Sequence, residues 1–147
     1  MENVSNSKIF ENYTEQDLPE VGKLLSEMLK DTFFMTFKGD LGAGKTTLIK
    51  EILINFQLES DFSSPTYSIV NEYKLNDADF RKAYHMDLYR LKHIDEAHEI
   101  GLTEYWDEDK TVCLIEWPEI AADILPEKCI NISIFVNANG SRKLIID

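Results

Sequence analysis

A run of nine small and polar residues, GDLGAGKTT, has the spacing of a loop that binds phosphate groups. It matches the pattern G-x-x-x-x-G-K-[ST], and its three glycines let successive backbone N–H groups converge on one anion. A helix that starts at the end of the run adds unpaired N–H donors and the positive end of its dipole. We therefore expect the whole run to bind a nucleotide, through Gly39, Asp40, Leu41, Gly42, Ala43, Gly44, Lys45, Thr46 and Thr47.

The side chains at the end of this run have separate predicted roles. Lys45 supplies a positive charge for the β- and γ-phosphates, and the Thr46 hydroxyl completes a Mg²⁺ site. Thr47 is placed to donate a hydrogen bond to the α-phosphate. The motif thus predicts a nucleotide bound together with a divalent cation.

The loop alone does not distinguish ATP from GTP, or a hydrolase from a kinase. No N-K-x-D stretch, which a guanine-binding protein usually carries, occurs late in the chain. Kinases of small molecules usually close an arginine-bearing lid over the transferred phosphate, whereas this chain has three arginines and no lid-sized insertion. A hydrolase is therefore favoured, and a small-molecule kinase or a nucleotide-sensing module without useful chemistry remain as alternatives.

Two acidic residues end strand-like runs and are candidates for the metal and the water. Glu116 follows the apolar run Val112–Ile115, which is the Walker B arrangement, and Asp87 ends another candidate strand. Mg²⁺ takes one or two carboxylates beside the phosphates, and a second acid can orient the attacking water. We expect Glu116 to be the metal acid and Asp87 to be a second acid bonded to metal-bound water.

Further polar and aromatic residues have weaker signals. The segment Ser64–Tyr67, SPTY, follows the loop helix where switch I lies in related hydrolases, so a hydroxyl there could sense the γ-phosphate; an ordinary turn is the alternative. Trp117 and Pro118 are expected to pack rather than bind. His93 and His98 lie in a charged stretch and are predicted to be surface residues.

The elements that position these residues alternate between apolar strands and amphipathic helices. Thr14, with an acid three residues later, predicts a helix start, and an apolar stripe at helical spacing follows from Leu18 to Leu29. An Asn-Gly pair predicts a C-terminal hairpin turn. The predicted strands are 7–13, 32–37, 66–74, 82–87, 111–115, 129–136 and 142–146, and the further predicted helices are 46–56 and one or two short ones within 94–106. This order predicts a three-layer α/β fold of the P-loop NTPase type, with a mixed, largely parallel central sheet and a C-terminal antiparallel hairpin.

The composition limits the remaining possibilities. The 147 residues include 15 basic and 27 acidic side chains, a net charge of −12 at pH 7 that disfavours direct docking on nucleic acid or an anionic membrane. No apolar run approaches the ~18 residues of a membrane span, and residues 1–13 lack the pattern of a secretory signal. We expect one domain over residues 1–147 in the cytoplasm, with Cys113 and Cys129 as buried thiols in preference to a disulfide.

Five motifs in order make the chain resemble the TsaE (YjeE) family of bacterial ATPases, which are needed to make N6-threonylcarbamoyladenosine in tRNA. They are GDLGAGKTT at 39–47, SPTY at 64–67, HMDLYR at 85–90, IGL at 100–102 with Tyr105 nearby, and LIEWPE at 114–119. The resemblance extends from about Thr14 to Arg142.

The resemblance implies ATP and Mg²⁺ as cofactors, with Thr46 and Glu116 on the metal and Asp87 and Thr66 needed for hydrolysis. It places the adenine and ribose near Thr14 and Gly140. It also implies weak hydrolysis by the chain alone, stimulated by the TsaD and TsaB proteins, and contact with tRNA only through these partners. Residues 95–109 and 59–67 are candidate contact surfaces, and a solvated acidic face is the alternative.

Overall fold

Seven strands form one mixed sheet in the computed structural model, which describes residues 8–59, 61–62 and 69–147. The sheet order is β1-β7-β6-β2-β5-β4-β3. The strands are β1 (Lys8–Tyr13), β2 (Phe34–Lys38), β3 (Val70–Lys74), β4 (Lys82–Asp87), β5 (Thr111–Glu116), β6 (Ile130–Val136) and β7 (Arg142–Ile146).

The four strands at the centre of the sheet, β6, β2, β5 and β4, are parallel to one another. The outer pairs β1–β7, β7–β6 and β4–β3 are antiparallel. Because parallel strands end at the same edge, the register brings Asp87 and Phe37 to either side of Glu116. The sheet therefore presents the predicted acids and the loop that follows β2 along one edge.

Helices cover both faces of the sheet, so the predicted three layers are confirmed. On one face, α1 (Leu18–Thr32) and α2 (Lys45–Asn55) bury a core that includes Leu25, Leu48 and Ile132. On the other face, α3 (Ile94–Glu99) and the 3₁₀ turns Leu102–Asp107 and Pro118–Ile124 cover a second core. The residues of β5 alternate between the two cores, as a strand buried on both faces requires.

The turn before α1 confirms the predicted helix start. Thr14 caps a short 3₁₀ turn, Glu15–Asp17, and its backbone N–H donates to the Asp17 carboxylate at 2.8 Å. The end of α1 differs from the prediction, because Thr32 is its last residue and Phe33 adopts a left-handed φ of +66°. The strand β2 therefore begins at Phe34 and not at Thr32.

The C-terminal hairpin is confirmed, with a turn over residues 137–141. Asn137 N–H donates to Ser141 O at 2.8 Å, and Gly140, at φ +86°, donates to Asn137 O at 3.0 Å. Strand β7 pairs with β6 along one side and with β1 along the other. The turn therefore lies at the same edge of the sheet as the end of β6.

Other elements follow the predictions with shifted bounds. Helix α3 and the 3₁₀ turn Leu102–Asp107 flank Gly101, which has φ +68°. The predicted strand over 66–74 is described from Val70 onward, and residues 66–68 lie outside the described part. His93 and His98 are exposed, as expected.

The two thiols differ in burial. Cys113 is buried and Cys129 half-buried, and both are free. The predicted burial of both thiols therefore holds for Cys113 alone. In the part of the chain that the structure describes, no helix has the length and apolar character that crossing a membrane requires.

Candidate active site

The predicted phosphate-binding loop (P-loop, residues 39–47) connects β2 to α2 at the edge where the central strands end. A Cβ added at Gly39 would lie 2.8 Å from Ile134 O, so only glycine fits against β6. Gly42 and Gly44 have φ values of +79° and +103°, which side chains resist. The glycines are therefore required by the loop's own backbone. The first amides of α2, like those of any helix, have no intrahelical acceptors.

The ammonium group of Lys45 lies at the centre of this loop. It donates to Gly39 O and, at 3.1 Å, to Asp40 O, and it lies 4.1 Å from the centroid of the Trp117 ring. Burial lowers the Lys45 pKa, and the carboxylates of Glu116 and Asp87 partly oppose that shift. The loop thus holds a partly desolvated cation whose present acceptors are neutral carbonyls.

Thr46 and Glu116 join the loop to the end of β5. The Thr46 hydroxyl lies 3.0 and 3.1 Å from the two carboxylate oxygens of Glu116, which is 3% exposed. A hydroxyl and a carboxylate are the hard oxygen ligands that Mg²⁺ prefers. In the described ranges no three His, Cys, Asp or Glu side chains cluster as a metal site. The Thr46 hydroxyl and the Glu116 carboxylate are donors that fit a hard divalent cation beside phosphate groups.

Asp87 ends β4 directly beside Glu116 in the sheet register. It is half-buried, and one carboxylate oxygen accepts the Tyr89 N–H at 3.1 Å. Burial raises the Asp87 pKa and the nearby Glu116 adds to this, while the Tyr89 hydrogen bond, His85 and Lys45 act in the opposite direction. The structure thus brings the two predicted acids together.

A cavity of about 570 Å³ opens on the other side of the loop. It has the size of a small-molecule site. Its walls come from the turn before α1, the P-loop with α2, and the C-terminal hairpin. The lining residues are Tyr13, Thr14, Glu15, Gln16, Leu18, Ala43, Gly44, Thr47, Gly140 and Arg142. The structure therefore places Thr14 and Gly140, the predicted neighbours of adenine and ribose, in one cavity with the loop.

Arg142 contacts the loop, which the sequence did not indicate. Its Nε donates to Ala43 O at 2.9 Å, its Nη1 to Gly140 O at 2.6 Å and its Nη2 to Gly42 O at 3.4 Å. The guanidinium thus links the P-loop to the hairpin turn through hydrogen bonds to both. The available signal was its position directly after the predicted Asn-Gly turn, which places it at the edge where β6 ends.

The remaining predicted residues have mixed outcomes. Leu41 is exposed, and Pro118 is buried as expected of a packing residue. Trp117, also expected only to pack, lies over Lys45 and contacts Tyr89 with ring centroids 4.9 Å apart.

Thr66 and the rest of Ser64–Tyr67 lie outside the described residues. Their described neighbours reach the site. The Phe62 ring stacks on His85 with centroids 5.9 Å apart, and Asp87 N–H donates to Ile69 O at 2.9 Å. A role of Thr66 in sensing the γ-phosphate stays a prediction.

Comparison with known proteins gives one consistent family. The family model described as threonylcarbamoyl adenosine biosynthesis protein TsaE matches residues 12–144. The tRNA threonylcarbamoyladenosine biosynthesis protein TsaE of Haemophilus influenzae is 38% identical over 77% of this chain and 72% of its own length. That of Bacillus subtilis is 36% identical over 88% and 78%, and that of Treponema pallidum 31% identical over 89% and 93%. The crystal structure of Bacillus subtilis YdiB aligns with a TM-score of 0.68 at 25% identity, covering 96% of this chain and 84% of YdiB.

Proposed function

This chain belongs to the TsaE family of tRNA threonylcarbamoyladenosine biosynthesis proteins, and from this premise we propose that it binds ATP with Mg²⁺ and hydrolyses the ATP. The observation that carries the proposal is the contact between the Thr46 hydroxyl and the buried Glu116 carboxylate at the end of the P-loop. A surface turn that merely contained glycines would have no reason to meet a buried acid from the neighbouring strand.

The residues of the site divide the work of binding. Backbone amides of Gly42 and of residues 44–47 face the phosphates, and Lys45 exchanges its carbonyl acceptors for β- and γ-phosphate oxygens. Thr46 and Glu116 hold the cation, which when bound neutralises charge on the transferred phosphate. Thr47 faces the α-phosphate, and the cavity beside Thr14 and Gly140 receives the nucleoside.

Two residues are assigned to the water. Asp87 lies next to Glu116, and its raised pKa shows that its surroundings favour a proton on the carboxyl more than water does. It orients the attacking water through a hydrogen bond, and Thr66 contributes a hydroxyl near the γ-phosphate. Lys45 stabilises the charge that develops on the departing phosphate oxygens.

We propose that hydrolysis by the chain alone is slow and that TsaD and TsaB accelerate it. An arginine that reaches the transition state is worth ~10³–10⁵ in rate, whereas Arg142 is engaged with loop and turn carbonyls. The net charge of −12 also makes this chain a poor direct ligand for tRNA, so the RNA contact belongs to the partners.

The test measures phosphate release and nucleotide affinity with purified chain, with and without TsaD and TsaB. We expect slow release that rises when the partners are added. Lys45→Ala should weaken ATP affinity by about tenfold or more, since a charge-assisted hydrogen bond contributes ~1.5–3 kcal/mol. Lys50→Ala removes an exposed lysine from the same helix and should leave the affinity unchanged.

The alternatives give different results. Transfer of labelled γ-phosphate to a metabolite in place of water would identify a kinase. A sensing module would keep its cellular function in Glu116→Ala and Asp87→Ala and lose it in Lys45→Ala. Failure of the wild-type chain to bind ATP with Mg²⁺ would exclude the proposed function altogether.

A further inference from the structure

A fully buried histidine lies in the middle of β4, on the sheet face that α1 and α2 cover. His85 is 0% exposed, and its neighbour on the same face, Ala83, belongs to the core beneath those helices. Placing an imidazole in such surroundings costs free energy unless its nitrogens find partners. A leucine or valine would suit this buried position better if packing alone were required, so a polar partner is needed to explain the histidine.

That partner is Glu116. The Nε2 atom of His85 lies 2.6 Å from Oε2 of Glu116, across the pair of parallel strands β4 and β5. The Thr46 hydroxyl lies 3.1 Å from the same Oε2 atom and 3.0 Å from Oε1. Contacts from β4 and from the start of α2 therefore restrict the orientation of the carboxylate, and the contact from His85 is made to Oε2 alone.

The rest of the His85 ring is held by packing. Its Nδ1 atom is buried without a hydrogen-bond partner among the described residues, and the Phe62 ring lies nearly parallel to it at 17°. Within the described part, the polar contact that the ring makes is thus the one to Glu116. Nε2 then carries the proton and donates it, since a carboxylate oxygen can only accept.

His85 does not touch the substrate, because no part of it is exposed. We propose that His85 is a positioning residue, which aims the Glu116 carboxylate at the cation beside Thr46. The inference rests on the proposed function, in which Glu116 helps to hold Mg²⁺. Groups that hydrogen-bond a metal ligand from behind typically change metal affinity by ~10–100-fold when removed.

The experiment measures Mn²⁺ affinity in the presence of ADP by electron paramagnetic resonance, and ADP affinity in EDTA by calorimetry. His85→Met keeps the volume and removes the donor, whereas His85→Gln places an amide N–H where Nε2 stood. We expect the methionine variant to lose about tenfold in Mn²⁺ affinity and the glutamine variant to remain within about threefold of wild type. ADP affinity without metal should stay unchanged in both.

Thr36→Val is the matched control, because Thr36 is fully buried in β2 and its hydroxyl donates to Asn131 at 2.8 Å without contacting Glu116. It should lower the melting temperature and leave Mn²⁺ affinity unaltered. Should His85→Met not fold, His85→Asn takes its place, since the shorter amide does not reach Glu116 and should lose the same affinity.

Two outcomes overturn the inference alone. One is a His85→Met variant that binds Mn²⁺ as the wild type does, and the other is a loss of ADP affinity that is equal with metal and in EDTA. A wild-type chain that binds neither ADP nor Mn²⁺ with ADP overturns the proposed function, and this inference with it.

Discussion

At the scale of single residues, the site contains ionisable side chains whose charged forms are disfavoured by burial. Glu116 and Lys45 are nearly inaccessible to solvent, yet each has close polar partners. The Glu116 carboxylate contacts the Thr46 hydroxyl and the His85 imidazole, and the Lys45 ammonium donates to backbone carbonyls of the loop. The Asp87 carboxylate accepts a hydrogen bond from Tyr89 N–H, and burial raises its pKa. A raised carboxyl pKa means that the folded chain holds this proton more firmly than the unfolded chain, so ionised Asp87 destabilises the fold.

The first prediction follows from the sign of that shift. Between the ordinary pKa of aspartate and the raised value, the folded state binds more protons, so stability falls as pH rises through this window. Asp87→Asn removes the ionisation and keeps an acceptor for Tyr89. We expect the ligand-free melting temperature to rise by about 1–3 °C at pH 7, while ATP hydrolysis falls at least tenfold.

Calorimetric melts at several pH values check this prediction. The gain from Asp87→Asn should disappear below the ordinary aspartate pKa, where the carboxyl is protonated in both states. Asp109→Asn removes a carboxylate at the opposite end of β5 and is the control. A gain that is independent of pH, or a variant that hydrolyses ATP normally, would contradict the assignment.

The sequence predicts the residues whose role depends on neighbours close in the chain. Lys45 and Thr46 belong to a contiguous motif, and Glu116 follows an apolar strand. The local sequence was therefore enough to predict their roles. His85 and Arg142 depend on contacts across 31 and 99 residues of sequence. Such contacts are set by sheet order and register, which periodicity does not specify.

At the scale of elements, the C-terminal hairpin is part of the site through one side chain. Arg142 at the start of β7 donates to carbonyls of the P-loop and of the turn. By donating to those carbonyls, the guanidinium stabilises the conformation that the loop has in this structure. The hairpin thus stabilises the conformation of the proposed phosphate-binding loop.

We expect Arg142→Met to weaken binding of ADP and ATP by about tenfold, since hydrogen bonds from a charged donor contribute ~1.5–3 kcal/mol. Arg142→Lys should recover little of the affinity. The planar guanidinium donates in several fixed directions at once, whereas a lysine ammonium is a compact charge that cannot reach two separate carbonyls in the same way. Calorimetry with each nucleotide gives the affinities. The catalytic rate at saturating ATP should be unchanged, which distinguishes loop positioning from participation in the reaction.

Lys143→Met is the control for Arg142→Met, as it removes the next basic side chain of β7. An affinity loss of the same size in this control would show that the charge of the strand, and not the contact with the loop, was responsible. Equal affinities in wild type and Arg142→Met would exclude the positioning role.

Element types were predictable and element ends less so. The apolar stripe of α1 and the hairpin turn follow from local periodicity and from Asn-Gly. The boundary at residues 32–34 was wrong because Thr32 and Phe33 have strand-like side chains, yet the chain needs a left-handed residue at Phe33 to leave α1. The hydrogen bond from Phe33 N–H to Leu29 O extends the helix to this point, although the side chains of Thr32 and Phe33 favour a strand.

At the scale of the whole molecule, the charge balance separates this chain from the RNA that its family helps to modify. With 15 basic and 27 acidic side chains, the mean field repels a polyanion. The phosphate binding that we propose is therefore local and involves the loop amides and Lys45. A site of this kind can bind a triphosphate without attracting a nucleic acid.

We expect the chain alone to bind tRNA more weakly than about 100 μM at physiological salt, the weak end of non-specific binding. Fluorescence anisotropy with labelled tRNA measures this, first with the chain alone and then with TsaD and TsaB added. Binding should appear only with the partners present. Tight binding by the chain alone that weakens steeply with salt would reveal a basic surface and contradict the expectation.

The position of β5 has a consequence for the durability of the site. All six of its residues are buried, and it lies between β2 and β4. Amide hydrogens in such an interior strand exchange with solvent only when the entire chain unfolds, whereas frayed ends and surface turns open far more often. We therefore expect the amides of β5 to be among the slowest to exchange, so that the placement of Glu116 persists while surface segments open locally.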